Sequence, residues 1–213
     1  MKPKIKITRV AAAIAQQKKF VKNILAVYKL APLEDHIAGN NWYYQAQAIS
    51  RALAETTGLD PMVIAGVIAA ISPQNKWDRN VFMAERVLRV WHETGVSALK
   101  QKGYFKLGLT KVDQILALAD PTHEQVCTIL NGQKITAFFR CISGDLQGVC
   151  VDGHAFNIAT HGLVRKGISS VKSFGVARYR ALELAYQTAA TKMKITPAQL
   201  QAITWITYRN LSI

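Results

Sequence analysis

The sequence predicts an all-α protein, and three observations support this class. Apolar residues recur at the three- and four-residue spacing of amphipathic helices along most of the 213 residues. No segment shows the apolar–polar alternation of a half-buried strand. Hydrophobic residues make up 50% of the chain, and no low-complexity tract or internal repeat interrupts it, so a folded globular protein is expected.

Ten helices are expected. The third begins at Asp60-Pro61, is apolar on nearly all sides and should be the central buried helix. Asn41 and Thr110 are expected to cap the second and fifth helices at their amino termini. The predicted helical ranges are 7–28, 42–57, 61–70, 78–92, 110–118, 120–130, 134–142, 153–163, 177–192 and 196–210.

The charge balance predicts a polyanionic partner. Lys and Arg number 27 against 13 Asp and Glu, which gives a net charge of +14. Such an excess creates a positive field that attracts polyanions, with nucleic acid first among them. A membrane-surface or ribosomal role is the alternative that the charge alone leaves open.

The cysteine and histidine patterns give no reason to expect a metal ion or another cofactor. Cys127, Cys141 and Cys150 are odd in number and lack C-x-x-C spacing, which argues against a disulfide framework, a zinc site and an iron–sulfur cluster. The longest apolar run, 61–71, is too short to cross a bilayer, and no signal-peptide pattern is present. A cytoplasmic protein without a membrane partner is therefore expected.

A polar turn follows the predicted central helix. It carries two amides, Gln74 and Asn75, and two cations, Lys76 and Arg79. Such side chains can enter a nucleic-acid groove, where amides contact base edges or fill a gap in the base stack. An ordinary polar junction between helices is the alternative interpretation.

A second segment is a predicted helix–turn–helix around Asn131-Gly132, with Gln133 and Lys134 opening the next helix. Backbone N–H groups at such a turn form a natural phosphate site, because they lie at a helix amino terminus. A plain helical hairpin with Lys134 as a solvated charge is the alternative. In a third segment Asp152 precedes His154 and is expected at a helix N-cap, the common role of such a residue.

In this order the three segments resemble the helix-hairpin-helix DNA glycosylases, the superfamily of endonuclease III. Ser72-Pro73-Gln74 matches the family's S-x-Q turn, Gly132-Gln133-Lys134 matches the G-x-K that ends the hairpin, and 151–154 matches V-D-x-H. Asp152 follows Lys134 by 18 residues, the spacing that the resemblance implies. The similarity covers about residues 61–164.

The resemblance implies a two-lobed, helical DNA glycosylase-like fold. Residues 59–164 would form its six-helix core, and residues 1–58 and 165–213 would form a lobe built from both termini. It also implies a monomer that binds double-stranded DNA with one base flipped out, in DNA repair or DNA modification. The setting would be a bacterial cell, with the protein encoded by the host or by a phage.

The resemblance assigns Lys134 as the amine nucleophile and Asp152 as the carboxylate that activates it. A lysine of ordinary pKa is protonated and inert, so the site must desolvate it or lower its pKa. Base release, with a Schiff base at C1′ and β-elimination as a lyase step, is the implied chemistry. The implied DNA contacts are Gln74, Asn75, Lys76, Arg79, Asn131, Gly132, Gln133 and His154, and the implied base-pocket walls are Trp42, Tyr43, Trp77 and Phe138.

The hairpin departs from the family pattern. The family motif is L-P-G-x-G, of which residues 128–132 keep only the second glycine, so the helix-hairpin-helix is degenerate. Two other functions are therefore open. Phage enzymes that hypermodify thymine, the α-glutamyl/putrescinyl thymidine pyrophosphorylases or amino-acid:DNA transferases, have G-x-K-x-x-x-F-F and V-D-x-H-A segments, which 132–139 and 151–155 also fit. The second open function is that of a non-catalytic basic DNA-binding protein, in which Lys134 and Asp152 would lie far apart or in solvent.

Overall fold

The computed structural model describes residues 3–95, 106–163 and 175–211, with the side chains of the first helix from Ala11 onward. Within that part of the chain there are ten α-helices and no β-strand, so the predicted all-α class is confirmed. The helices are α1 (Pro3–Lys29), α2 (Leu33–Thr57), α3 (Pro61–Ile71), α4 (Trp77–Thr94), α5 (Lys106–Leu116), α6 (His123–Leu130), α7 (Gln133–Ser143), α8 (Gly153–His161), α9 (Val176–Met193) and α10 (Pro197–Asn210).

The chain divides into two compact units. Unit 1 comprises Met1–Tyr43 and Leu146–Ile213, and unit 2 comprises Tyr44–Asp145. The boundaries differ from the expected ones after residues 58 and 164, the second of which lies at the edge of a segment outside the described residues. The difference arises because α8 packs against α1 and α10, which places the Asp152 segment with the termini.

Unit 2 is built around α3. All residues from Val63 to Ile71 are buried, and α4, α5, α6 and α7 each contact this helix, as its apolar sequence predicted. Asp60 caps α3 by accepting a hydrogen bond from the Met62 N–H at 2.7 Å, and Pro61 occupies the first turn. The polar turn after Ile71 is therefore anchored directly to the core of the unit.

Unit 1 has its own core, in which α1 contacts α8, α9 and α10. Ile24, Leu182 and Leu200 are fully buried there. The Asn23 amide also donates a hydrogen bond to the Ala159 carbonyl at 2.9 Å, which fixes α8 against α1. The placement of α8 thus depends on the helix at the amino terminus of the chain.

Helix α2 begins at Leu33, so the prediction that Asn41 caps it was wrong. The Asn41 amide instead donates to the Ile37 carbonyl at 2.9 Å, within the same helix. Gly39 is buried in the interior of this helix, where a Cβ would meet the Ile203 Cα at 2.5 Å. The glycine is needed for the close approach of α10, and tertiary packing outweighs its low helix propensity.

The amino-terminal ends of α5 and α6 also differ from the predicted ones. Thr110 lies inside α5, where its hydroxyl donates to the Lys106 carbonyl at 3.1 Å instead of capping the helix. Helix α6 begins at His123, since Thr122 and Gln125 form a reciprocal capping box there. The predicted starts of these two helices, at residues 110 and 120, were therefore wrong, although the helices themselves exist.

In the described segments no single helix is long and apolar enough to cross a membrane. Helices α2 and α3 reach that length and composition only as a pair, and they meet at a bend of 114°.

We expect Gly39→Ala to destabilise unit 1, because the added methyl group overlaps the Ile203 backbone of α10. The expected loss in the free energy of unfolding is about 1–3 kcal/mol, measured by urea denaturation. Gly175→Ala is the steric control, since a Cβ there meets nothing within 4 Å; because Gly175 is the N-cap of α9, a loss of no more than about 1 kcal/mol is expected. Equal stability of the Gly39→Ala variant and the wild type would contradict the close packing of α2 on α10.

Candidate functional site

In unit 2 the turn after α3 presents the two amides in different ways. The Asn75 amide donates to the Ile71 carbonyl at 2.7 Å, so it holds the end of α3. Gln74 is exposed and has φ of 64°, in the left-handed region that residues other than glycine seldom adopt. Of the two amides expected to contact DNA, Gln74 is thus the one presented outward.

A groove of about 790 Å³ lies beside this turn, within unit 2. Gln74, Lys76, Arg79 and Lys111 are among its polar lining residues, and none of the described residues that line it is acidic. Apolar residues complete the lining, among them Ile135, the third residue of α7. The groove therefore combines positive charge with an apolar surface, the combination that suits a nucleotide chain.

Lys111 joins helix α5 to the turn between α6 and α7. Its ammonium group donates a hydrogen bond to the Leu130 carbonyl, at the carboxyl end of α6, where the helix dipole favours a cation. Partial burial lowers the pKa of Lys111, because desolvation disfavours the charged amine. Sequence reasoning placed Lys111 on a helix before the hairpin but gave it no role.

The predicted helix–turn–helix is present as α6, the Asn131-Gly132 turn and α7. Asn131 ends α6 in the left-handed conformation with φ of 40°, and its N–H donates to the Cys127 carbonyl at 3.0 Å. Gly132 has φ of 167°, an extended backbone that other residues adopt as well. Asn131, Gly132 and Lys134 are exposed, and Gln133 is half-buried, so the first turn of α7 is accessible to a ligand.

The four aromatic residues expected in a base pocket form two pairs, one in each unit. Trp77 and Phe138 are half-buried in unit 2, with ring centroids 6.2 Å apart and edge-to-face. Trp42 and Tyr43 make a similar contact at 4.8 Å in unit 1. The Tyr43 ring is only 4% exposed, and its hydroxyl donates to Gln201 Oε1 at 2.8 Å, which makes it a core residue.

Asp152 is half-buried in unit 1 and caps α8, as predicted. Its Oδ1 accepts a hydrogen bond from the Ala155 N–H at 2.8 Å, and its Oδ2 accepts one from the Trp205 indole at 3.0 Å. The exposed His154 ring lies 6.1 Å from the Trp205 ring, edge-to-face. The carboxylate is thus held at both oxygens and has aromatic neighbours.

Sequence reasoning missed Trp205 and Arg209, which contact each other next to Asp152. The Arg209 guanidinium lies over the Trp205 ring, 4.4 Å from its centroid. A tryptophan and an arginine four residues apart on a helix of a basic chain were the available signal, but nothing in the sequence linked them to Asp152.

The described residues bring together no group of three or more His, Cys, Asp or Glu side chains that could hold a metal ion. Lys134 belongs to unit 2 and Asp152 to unit 1. The chemistry that these elements can carry is therefore that of an exposed amine, a fixed carboxylate and a cationic groove.

The chain belongs to the DUF7178 family. This is a family of unknown function, and its model matches residues 6–212. No curated protein and no solved structure matches the chain. Membership therefore assigns no activity, and a functional proposal depends on the residues themselves.

We expect Lys111→Met to destabilise the α6–α7 turn, because the buried Leu130 carbonyl loses its charged donor. The expected loss in the free energy of unfolding is about 1–2 kcal/mol, with faster amide hydrogen exchange at residues 131–135. Lys106→Met, an exposed site on the same helix, should leave both quantities unchanged. Unaltered exchange in the Lys111 variant would argue against its role in fixing the turn.

Proposed function

We propose that the protein is a DNA-binding enzyme of the helix-hairpin-helix glycosylase type, which releases a flipped-out base through Lys134 and Asp152. The observation that carries the proposal is the α6–α7 hairpin, in which Lys134 is the second residue of α7, after a glycine turn. This is the local structure that the resemblance requires around its nucleophile. Lys134 is exposed in the protein alone, so the desolvation that its amine needs must come from bound DNA. The two-lobed glycosylase-like fold is part of the same proposal.

The groove of unit 2 supports DNA as the substrate. Lys76 and Arg79 are exposed in and beside the first turn of α4, so they can neutralise phosphates. The outward-facing Gln74 side chain can fill the space that a flipped base leaves. The net charge of +14 adds a long-range attraction to DNA.

In the proposed reaction the Lys134 amine attacks C1′ of the nucleotide, and the bond from C1′ to the base breaks. The electron pair of that bond leaves with the base, which takes up a proton. The Asp152 carboxylate stabilises the positive charge that develops on the sugar and accepts the proton that the nitrogen loses. Loss of the ring-oxygen bond then gives a Schiff base, from which β-elimination cleaves the strand.

A second candidate is transfer of an amine to an activated 5-hydroxymethyl pyrimidine in DNA. The observation that favours it is Leu130, which is helical and fully buried where the excision family has the first glycine of its hairpin. A hairpin altered at this position grips phosphate differently from that of the excision enzymes. Modification of the base without its release would select this candidate.

We expect Lys134→Ala to abolish covalent trapping of the protein on a duplex with one abasic site in the presence of borohydride, because no Schiff base can form. Asp152→Asn should lower base release by about a hundredfold or more with nearly unchanged DNA affinity. Lys192→Ala, an exposed lysine of α9, is the control and should trap normally.

The trapping experiment should be repeated on duplexes that contain uracil, thymine glycol or 8-oxoguanine, and on duplexes that contain a phosphorylated, and hence activated, 5-hydroxymethyluracil together with an added amine. Wild-type protein that neither traps on the abasic duplex nor releases or modifies any of these bases would overturn the enzymatic proposal. If the protein then binds DNA without any reaction, the remaining interpretation is a non-catalytic, basic DNA-binding protein.

We expect the double variant Lys76→Ala/Arg79→Ala to bind duplex DNA more weakly, because two phosphate contacts are lost. The slope of log affinity against log salt concentration should fall in magnitude by about 2, as measured by fluorescence anisotropy. Arg86→Ala/Arg89→Ala removes the same charge from exposed positions further along α4 and is the control. Equal slopes for the two double variants would rule out the groove as the phosphate contact.

A further inference from the structure

The Asp152 carboxylate receives more support than a helix cap needs. The cap requires only Oδ1, which accepts the hydrogen bond from the Ala155 N–H. The Trp205 indole donates separately to Oδ2 at 3.0 Å, from a helix 53 residues further along the chain. One donor on each oxygen fixes the plane of the carboxylate and leaves each oxygen a further lone pair.

The indole that makes this contact is itself held in place. Trp205 is half-buried on α10, and the Arg209 guanidinium lies over its ring at 4.4 Å. The His154 ring also contacts the indole edge-to-face, with the ring centroids 6.1 Å apart. A ring held in this way can aim its single N–H at one point.

The Asp152 carboxylate also interacts electrostatically with the buried Tyr186, whose hydroxyl donates to the Ala155 carbonyl at 3.3 Å. Burial and, to a smaller extent, the Asp152 charge raise the pKa of Tyr186 well above its usual range. Tyr186 therefore remains neutral at physiological pH. Of the neighbouring side chains, the Trp205 indole is the donor that fixes Oδ2.

We propose that Trp205 is a positioning residue for Asp152, holding its carboxylate at the angle that the reaction at the sugar requires. This inference rests on the proposed function of Asp152. It gives α10 a part in the reaction, although Trp205 need not touch the substrate.

The hydrogen bond is tested by NMR on the ¹⁵N-labelled chain of 213 residues, which has four tryptophans and hence four indole N–H signals. The signal lost in Trp205→Phe identifies the Trp205 indole. In Asp152→Asn that signal should move upfield and exchange faster with solvent, because a single amide oxygen cannot serve both donors. An unmoved Trp205 signal would overturn the proposal, and this measurement does not depend on Trp205→Phe being stable.

The positioning role is tested by single-turnover kinetics on the duplex that the wild type processes. Trp205→Phe should lower the rate about tenfold, while the DNA dissociation constant changes less than about twofold. In the Asp152→Asn background Trp205→Phe should cause no further loss, because its effect passes through the carboxylate. Trp91→Phe, at a half-buried tryptophan on α4, is the control and should keep the wild-type rate.

The outcomes separate this inference from the proposed function. If the wild type reacts and the Trp205→Phe variant reacts at the same rate, the positioning role is overturned and the enzymatic function stands. If the wild type reacts with none of the duplexes, both the positioning role of Trp205 and the proposed enzymatic function are overturned. Additive losses in the double variant show that Trp205 acts independently of Asp152, which also contradicts the inference.

Discussion

The burial of α3 is the constraint on which unit 2 depends. From Val63 to Ile71 this helix has no polar face, so every side must be covered by another helix. Four helices provide that cover, and the close approach of α5 requires Gly108, where a Cβ would lie 2.9 Å from the Ala70 carbonyl oxygen. The end of α3 consequently has little freedom, and the turn that follows it has a rigid base.

A similar relation between packing and chemistry holds in unit 1. Helix α8 is fixed by the Asn23 hydrogen bond to Ala159 and by contact with α10, so the position of Asp152 follows from the core. Within that fixed position, the Ala155 N–H and the Trp205 indole determine the direction of the carboxylate. Rigid helices that carry the site residues suit an enzyme, because small displacements of a catalytic group cost large factors in rate.

Much of the fold could be predicted from local patterns. The apolar run of α3, the Asp60 cap and the Asp152 cap depend on residues close in sequence, and each was found there. The start of α2 could not be predicted in this way, because the helix continues through Gly39, whose helix propensity is low and whose contact with Ile203 lies far away in the sequence. Local signals report caps and periodicity, whereas a glycine that allows two helices to approach is explained only by the other helix.

The candidate site shows the same division. Lys134 and Asp152 were proposed from spacing and resemblance, and the structure places Lys134 in the first turn of α7 and Asp152 at the N-cap of α8. Trp205 was missed, because its partner lies 53 residues away and no motif joins them. Tyr43 was assigned to a pocket from its residue type alone, and its bond to Gln201 shows that it serves the core instead.

The left-handed backbone at Gln74 has an evolutionary consequence. Selection for folding stability alone would favour glycine there, because glycine adopts positive φ without the steric cost that a Cβ imposes. The chain carries glutamine and bears that cost. The turn is thus less stable than the same turn with glycine, and it presents an exposed amide beside the buried end of α3.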